Sequence, residues 1–311
     1  MITAVIILIV IFAAFLIIPI SISLFFFQRR KKSRRSPLTS QLLRGPGESL
    51  RRELENVDEK IDNFFFKIIM SAMFAILLLM ILASSGNGKV FVWQLWLLAV
   101  CYGLIIILLS FELYRLLRNR QDLYLGLDCE RAVGQELNQL MLDGCRVFHD
   151  FQADNFNIDH IVIGGNGVFA IETKGRAKPD RGRGQEDVRV TYDGHALLFP
   201  TWSEKDPIEQ AKRQASWLSN WLTKAVGEQI SVKPALALPG WYVDRRGKDL
   251  LIFSGKNPQF LSKITTETTL SPDMIQRVAF QIEQQCRDVE PQAYKKKRVH
   301  KMSGFPSPSR P

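Results

Sequence analysis

The chain has 311 residues, of which 46% are hydrophobic, and its formal net charge is +10. This length allows one good-sized domain with additions, but the apolar residues are concentrated in the first third, which excludes a single evenly patterned soluble domain. The charge alone does not indicate nucleic-acid binding, because much of it lies in the block QRRKKSRR (residues 28–35) and the tail YKKKRVHKMSGFPSPSRP. Membrane topology and attraction to anionic lipid explain both segments.

Three apolar runs near the start are each long enough to cross a membrane. They are residues 1–27, 64–83 and 92–113. A bilayer core about 30 Å thick needs about 20 helical residues. The first run has no basic segment before its apolar part and no clear cleavage site, so we interpret it as an uncleaved anchor rather than a signal peptide. The sequence therefore predicts three transmembrane helices.

The positive charges predict the orientation of these helices. The loop 28–63 opens with a basic block, and RLLRNR (115–120) follows the third run, whereas the link SSGNGK has a single lysine. Short loops rich in Lys and Arg stay in the cytoplasm. We therefore expect a multi-pass protein of the bacterial inner (plasma) membrane, in contact with membrane lipid, with a cytoplasmic C-terminal domain. The tail, residues 290–311, is polar and basic and is predicted to be disordered.

The cysteines and histidines give no metal or redox motif. The four cysteines contain no C-x-x-C pair, and the four histidines lack the spacing of metal ligands. The glycine stretch 164–167 has neither the length nor the following helix of a dinucleotide-binding loop. His160 alternates with Asp159, so we expect it to face the other side of its strand.

Residues 125–289 show the pattern of an α/β domain, in which helices alternate with runs of strands. A first helix is predicted over 128–142, closed by Gly144. A second is predicted from Asp206, as N-cap before a proline, to Val226, and a closing helix over 271–286. The residues expected on the buried stripes are Val133, Leu137, Leu140 and Met141 in the first helix, and Ile208, Ala211, Ala215, Leu218 and Leu222 in the second.

Short apolar runs between these helices predict the strands. The predicted strands are residues 145–151, 158–164, 168–174, 188–192, 195–200, 235–243 and 250–253.

Two of these strands form a predicted hairpin with unusual charged residues. A two-residue turn at Gly165-Asn166 would place Asp159 directly opposite Glu172. A turn at Asn166-Gly167, the commoner type, would place Asp159 opposite Lys174, with Glu172 on the diagonal. In both cases the three charged side chains share one face of the hairpin.

Opposed carboxylates in a hairpin need an explanation. Their Cβ atoms lie roughly 5 Å apart, which is destabilising for like charges unless something bridges them. A divalent cation does so, since Mg²⁺ takes a few carboxylates plus water and leaves positions for phosphate. Lys174 is placed to orient an attacking water. The alternative is a solvated strand face, on which Asp159, Glu172 and Lys174 simply meet water.

Three stretches of the domain resemble a known family. CERAVGQELNQL, FHDFQADNFNIDHIVIGGNGVFAIETKG and DPIEQAKRQASWL resemble the nuclease-related domain family, NERD, of the PD-(D/E)xK restriction-endonuclease-like superfamily. The resemblance covers residues 128–289, and its most specific part is the hairpin. It implies a restriction-endonuclease-like mixed sheet flanked by helices, here preceded by the three predicted transmembrane helices.

The resemblance also implies a set of site residues. Asp159 resembles the family's strand aspartate, and Glu172 and Lys174 resemble its ExK pair. The family usually has Gly before the acid of the first helix, where this chain has Cys129, and this leaves the choice of that acid open between Glu130 and Glu136. Glu130 is favoured because it lies on the buried stripe. The candidate catalytic residues are Asp159, Glu172, Lys174, Glu130 and Gln210, the last matching the glutamine of the second helix. The alternative is that Glu130 is a solvated helix acid and Gln210 an exposed polar residue near a helix start.

The implied function is a membrane-anchored, metal-dependent nuclease that acts on nucleic acid, with DNA as the expected substrate, in processing or defence. Asp159 and Glu172, with the Thr173 carbonyl, would hold Mg²⁺ or Mn²⁺, and Glu130 would be a further ligand. The basic stretch GRAKPDRGRG (175–184) could contact the phosphate backbone, or it could equally be a flexible solvated loop. A homodimer is possible for an enzyme that cuts two strands.

Other functions are compatible with the same residues. The domain could be a silent nuclease-like module that binds nucleic acid or a protein partner, or a sensor or assembly module. The spans carry few charges, which argues against a transporter.

Overall fold

The structure is a computed structural model, and it describes residues 37–38, 40–85, 92–178, 188–264 and 269–291. The first predicted apolar run and residues 292–311 of the predicted tail lie outside the described residues. The chain divides into two compact units, Met1–Leu42 with Val289–Pro311, and Leu43–Asp288. In the first unit, Leu42 and Val289 form an isolated antiparallel bridge. The features that follow belong to the second unit.

Two long helices begin this unit. Helix α1 spans Glu48–Ser85, and helix α2 spans Val92–Asn138. By length and composition both could cross a membrane, and their most apolar windows, of mean hydropathy 2.5 and 2.3, are only 6% and 0% buried. The second and third predicted spans lie within these helices. The last part of the predicted cytoplasmic loop, from Glu48, is the start of α1, so the polar and apolar parts form one continuous helix.

The predicted helix 128–142 is the end of α2. The α-helix stops at Asn138, a 3₁₀ turn continues over Gln139–Asp143, and Gly144 ends it with a φ of +84°. The burial expected of Val133, Leu137 and Leu140 is confirmed, whereas Met141 is 49% exposed. That assignment is wrong because the tighter 3₁₀ turn rotates Met141 away from the stripe.

The strands of the domain are β1 (Arg146–Gln152), β2 (Asn157–Gly164), β3 (Gly167–Thr173), β4 (Arg189–Tyr192), β5 (Leu197–Leu198), β6 (Ser203–Glu204), β7 (Val232–Ala237), β8 (Tyr242–Arg245) and β9 (Leu251–Phe253). The main sheet contains five of them. Its order is β1-β2-β3-β7-β9, with antiparallel pairing of β1, β2 and β3 and parallel pairing of β3, β7 and β9. The mixed sheet flanked by helices that the sequence predicts is therefore confirmed.

A second, smaller sheet has the order β6-β5-β4-β8. The predicted strand 235–243 is wrong as a single strand, because its residues fall in β7 and β8, which belong to different sheets. Pro239 and Gly240 interrupt it, and Gly240 takes a φ of +81°, which suits a turn rather than a strand. The second sheet, with Tyr192 and Trp241 in its core, extends the α/β domain.

Three further helices complete the domain. They are α3 (Asp206–Val226), α4 (Phe260–Lys263) and α5 (Pro272–Cys286). The predicted cap of α3 is wrong by one residue, because Asp206 is already helical and Lys205 holds the N-cap position without a side-chain cap bond. All five residues of the predicted α3 stripe are buried. Helices α3 and α5 cover one face of the main sheet, and α2 covers the other.

A buried histidine pair lies between the sheet and α2. His149 Nδ1 lies 2.9 Å from His160 Nδ1, and His149 Nε2 lies 3.0 Å from the Asn138 side-chain oxygen. Burial lowers the pKa of His149 to about 4, although the nearby Asp150 opposes the shift. Burial also places the pKa of His160 well below its usual value.

We expect this pair to make the domain acid-sensitive. The unfolded chain binds more protons than the folded chain between about pH 6.5 and about pH 4, so the free energy of unfolding falls as the pH drops through this window. The protonation of His149 is expected to lower the free energy of unfolding by roughly 3 kcal/mol across this window. Denaturant unfolding of the detergent-solubilised chain should show a smaller pH slope for His149→Asn than for wild type. The exposed His195, changed to Asn, serves as control, and an unchanged slope in His149→Asn would refute this assignment.

Candidate active site

The hairpin of β2 and β3 fixes which charged residues face each other. Gly164 pairs with Gly167, so the turn consists of the two residues between them. The paired ladder ends at His160 and Ile171, and the same register continued by one residue places Asp159 opposite Glu172. The first predicted alternative is confirmed, and the alternative that pairs Asp159 with Lys174 is wrong.

The regular alternation of side chains breaks at the start of β2. Ile158 and Ile161 are three residues apart yet belong to the same core cluster, which strict alternation does not allow. Asp159 and His160 lie between them, and in the neighbouring strand β1 Asp150 takes a φ of +52°. Asp159 is only 5% exposed as a result.

Glu172 is held by three side chains. Lys174 Nζ lies 2.6 Å from Glu172 Oε1, and Gln210 Nε2 donates to the same oxygen at 2.8 Å. Gln214 Nε2 donates to Glu172 Oε2 at 2.6 Å. Because Glu172 is 2% exposed, the solvated-face alternative does not apply to either hairpin carboxylate.

Gln214 is a site residue that the sequence reasoning missed. It lies four residues after Gln210, which places both amides on one side of α3. A signal was present, since Gln214 is a polar residue within the otherwise apolar stripe of that helix. A buried glutamine in such a stripe needs a polar partner, and Glu172 is that partner.

Asp159 is anchored by the backbone of the facing strand. The Thr173 N–H donates to Asp159 Oδ2 at 2.7 Å, and the Asn157 side-chain amide lies 3.5 Å from Asp159 Oδ1. Burial, followed by the negative charges of Glu172 and Glu130, raises the pKa of Asp159 well above its usual range. The cleft therefore disfavours the charged form of Asp159.

Glu130 brings a third carboxylate from α2. Burial, then the charges of Asp150 and Glu172, raises its pKa to about 8. Its Oε2 atom is buried and has no hydrogen-bond partner among the described residues. Glu136, the other candidate from the sequence, is partly exposed and lies within hydrogen-bonding distance of Gln139. The structure thus brings Glu130, and not Glu136, to the cleft.

One open cleft of about 550 Å³ contains all five residues that the sequence predicts. The segment that follows β3 forms one side of the cleft. Two contacts hold it in place: the Arg176 guanidinium donates to the Glu204 carboxylate at 2.8 Å, and the Trp241 indole N–H donates to the Arg176 carbonyl at 3.1 Å. The first turns of α1 form another side. Lining residues include Ser49, Leu50, Glu53, Glu130, Asn157, Asp159, Glu172, Lys174, Arg176 and Gln210.

The donor atoms of the cleft suit a hard cation, although they do not form a ready-made cage. Within the described part of the chain, no three His, Cys, Asp or Glu side chains are grouped so that they could hold a metal ion. The carboxylates of Asp159 and Glu172 offer the oxygen donors that Mg²⁺ prefers. The buried Oε2 of Glu130 lacks a hydrogen bond of normal geometry among the described residues, and the Gly47 backbone only partly offsets the rise in the Glu130 pKa, so this oxygen can accept a further polar or cationic partner. The residues therefore fit a divalent ion held by two carboxylates and water.

The fold and the cleft define an α/β domain with an acid-acid-lysine site. Its sequence matches the family described as NERD, nuclease-related domain, over residues 125–239. The chain therefore carries a nuclease-related domain, and the resemblance seen in the sequence is confirmed as far as residue 239. The matched residues include all five candidate site residues. Comparison with curated proteins and with solved structures gives no match.

Proposed function

We propose that the chain is a membrane-anchored, metal-dependent nuclease that hydrolyses phosphodiester bonds of nucleic acid, with DNA as the substrate. The observation that supports this most is the burial of Asp159 and Glu172 beside Lys174 in one open cleft. Buried like charges destabilise a fold, so their presence in a cleft favours a catalytic role. A role in processing or defence and the formation of a homodimer belong to the same proposal.

Asp159 and Glu172 would hold Mg²⁺ or Mn²⁺, with Glu130 as a further ligand or a neighbouring acid. When bound, the ion would stabilise charge on the scissile phosphate and lower the pKa of a bound water. The Thr173 N–H and the Gln214 amide keep the two carboxylates in place by direct hydrogen bonds. This leaves their remaining lone pairs available.

Lys174 would orient the attacking water and support the charge of the phosphate. Its ammonium lies beside Glu172, and its side chain is 23% exposed, so it is accessible from the cleft. Gln210 shares the same Glu172 oxygen and would position substrate or water. Arg176 and Lys178, which follow on the same segment, would contact the phosphate backbone without reading bases. Residues 179–184 of the predicted basic stretch lie outside the described residues.

The substrate experiment uses the full chain in detergent. End-labelled single- and double-stranded DNA and RNA are incubated with it in Mg²⁺, in Mn²⁺ and in EDTA. We expect cleavage of DNA that requires the metal. Cleavage of RNA alone would contradict the proposal that DNA is the substrate, and cleavage in EDTA would contradict the requirement for a metal ion.

A module that binds nucleic acid without cutting is the second candidate function. It is favoured by one observation, the three side chains that already contact Glu172 and would compete with a metal ion for its oxygens. Binding without cleavage of any of the four substrates would favour this candidate.

Membrane attachment is part of the proposal. Helix α2 runs without a break from its apolar segment to Glu130, so the site would be joined directly to the membrane. We expect the chain to remain in the membrane pellet after alkaline carbonate extraction of bacterial cells that express it. A C-terminal tag should be digested by protease in inverted vesicles but not in intact spheroplasts. Release by carbonate would contradict the anchoring, and the opposite protection pattern would contradict the orientation.

A further inference from the structure

Arg44 connects the segment before α1 with the nuclease-related domain. Its side chain is only 1% exposed, and its Nη2 lies 2.7 Å from Asp150 Oδ2. Its Nε donates to the same oxygen at 3.1 Å. On its other side, Nη1 donates to both carboxylate oxygens of Asp288 at 2.8 Å. Arg44 and Asp288 both lie outside the matched residues 125–239.

Asp150 continues this network toward the cleft. Its Oδ2 also accepts the Ser49 N–H at 2.6 Å, and its Oδ1 accepts the Asn157 amide at 2.9 Å. The same Asn157 nitrogen lies 3.5 Å from Asp159 Oδ1. The Asn157 carbonyl accepts from Gln214, the residue that holds Glu172. The network therefore reaches both hairpin carboxylates through Asn157.

The position of Asp150 depends on a positive charge. Asp150 is fully buried and adopts a φ of +52°, which is costly for a residue other than glycine. Removing one partner of a buried ion pair leaves an uncompensated charge and is strongly destabilising. Arg44 supplies the cation that contacts Asp150, so it stabilises the backbone break between β1 and β2 that places Asp159.

We propose that Arg44 is a positioning residue for the acidic cleft, which anchors Asp150 and, through the Asn157 amide, fixes the carboxylate of Asp159. The proposal rests on the proposed nuclease function. It implies that the segment before α1 completes a site that the matched domain does not contain by itself. The first turn of α1 adds to this, since Ser49 and Leu50 line the same cleft.

The test compares four single variants of the full chain in detergent, Arg44→Gln, Arg44→Lys, Asn157→Ala and Asp288→Asn, together with the double variant Arg44→Gln/Asn157→Ala. We measure kcat and KM on DNA, and the affinity for Mn²⁺ by electron paramagnetic resonance. Arg44→Gln is expected to lower kcat and Mn²⁺ affinity each by roughly 10–100-fold, the usual effect of losing an outer-shell partner of a metal ligand. KM should change by less than about threefold, because Arg44 does not touch substrate.

The other variants separate positioning from general stability. Arg44→Lys keeps the charge and should recover part of the kcat. Asp288→Asn weakens the ion pair of Arg44 that does not involve Asp150. This variant should keep kcat within about threefold of wild type, even if its unfolding temperature is lower. Asn157→Ala should lower kcat to a similar extent, and its effect should not add to that of Arg44→Gln. Asn157→Ala also provides the test if Arg44→Gln does not fold.

Each outcome supports or overturns the proposal. A wild-type kcat and Mn²⁺ affinity in folded Arg44→Gln, or in Asn157→Ala, would overturn it while leaving the nuclease function standing. If Asp288→Asn and Arg44→Gln lose kcat and Mn²⁺ affinity to the same extent, Arg44 has only a structural role, and the proposal is overturned as well. If the wild type binds Mn²⁺ but cuts nothing, the nuclease function fails, and the Mn²⁺ affinities alone decide the positioning role. A wild type that neither cuts nor binds Mn²⁺ would overturn both.

Discussion

Replacing Lys174 by methionine is expected to lower the rate of DNA hydrolysis by roughly 10²–10⁴-fold. Methionine keeps an unbranched side chain of similar length but removes the ammonium that lies 2.6 Å from Glu172 Oε1. The attacking water would lose the charged side chain that the proposal assigns to orient it, and the phosphate would lose one of its positive partners. The measurement is single-turnover cleavage of end-labelled DNA in Mg²⁺ by the full chain.

Lys212 provides the matched control. Its ammonium also lies 2.5 Å from a carboxylate, that of Asp249, but the lysine is 45% exposed and does not line the cleft. Lys212→Met is expected to retain the wild-type rate within about threefold, since exposed ion pairs contribute little. Equal rates for wild type and Lys174→Met would refute the role of Lys174.

Asp159→Asn is expected to change activity and stability in opposite directions. The activity should fall by at least about 100-fold, because the proposed metal site loses one of its two hairpin carboxylates. The stability should rise by on the order of 1 kcal/mol, since burial and the charges of Glu172 and Glu130 raise the pKa of Asp159 and disfavour its charged form. Cleavage assays and thermal unfolding of the same preparation measure the two effects.

Asp193 provides the control, because its pKa is lowered whereas that of Asp159 is raised. Its exposed carboxylate accepts the His195 and Ala196 N–H groups at 2.8 Å each, and these bonds lower its pKa. Asp193→Asn should therefore leave activity unchanged and should not stabilise the domain. If Asp159→Asn lowers the unfolding temperature, the account of a strained acidic cleft is wrong.

The charged face of the hairpin could be predicted because it is determined by residues that are close together in the sequence. Asp159, Glu172 and Lys174 lie within one strand-turn-strand unit, so their spacing alone places them on one face. The choice between the two turns could not be made from the sequence. It depends on Asn166, whose amide donates to the carbonyls of Leu261 and Ile264, almost a hundred residues further along the chain.

The supporting residues could not be predicted for a similar reason. Arg44 meets Asp150 across 106 positions of the chain, and nothing in its neighbourhood, QLLRGPGE, distinguishes it from the other basic residues of that loop. Asp150 carried a usable signal, because it interrupts the apolar strand Val147 to Phe151 much as Asp159 interrupts its own. A charged residue inside a strand predicts a buried partner or a site, but not which partner.

The errors in secondary structure also have physical causes. Met141 continues the helical pattern in the sequence, but the final 3₁₀ turn changes its direction. The run 235–243 is apolar throughout and looks like one strand, although Pro239 and Gly240 mark the place where the chain passes from the first sheet to the second. Hydrophobic periodicity does not distinguish one long strand from two short strands in different sheets.

The central claim is that the acid-acid-lysine cleft cuts DNA with a bound divalent ion. Its most direct test is to treat the full chain with EDTA, add Mg²⁺ back in steps and record cleavage of end-labelled DNA by wild type, Asp159→Asn and Lys174→Met. The account predicts that cleavage by wild type returns with Mg²⁺ and saturates, while both variants stay at least about 100-fold slower at every concentration. Cleavage that is independent of Mg²⁺, or equal in wild type and the two variants, would contradict it.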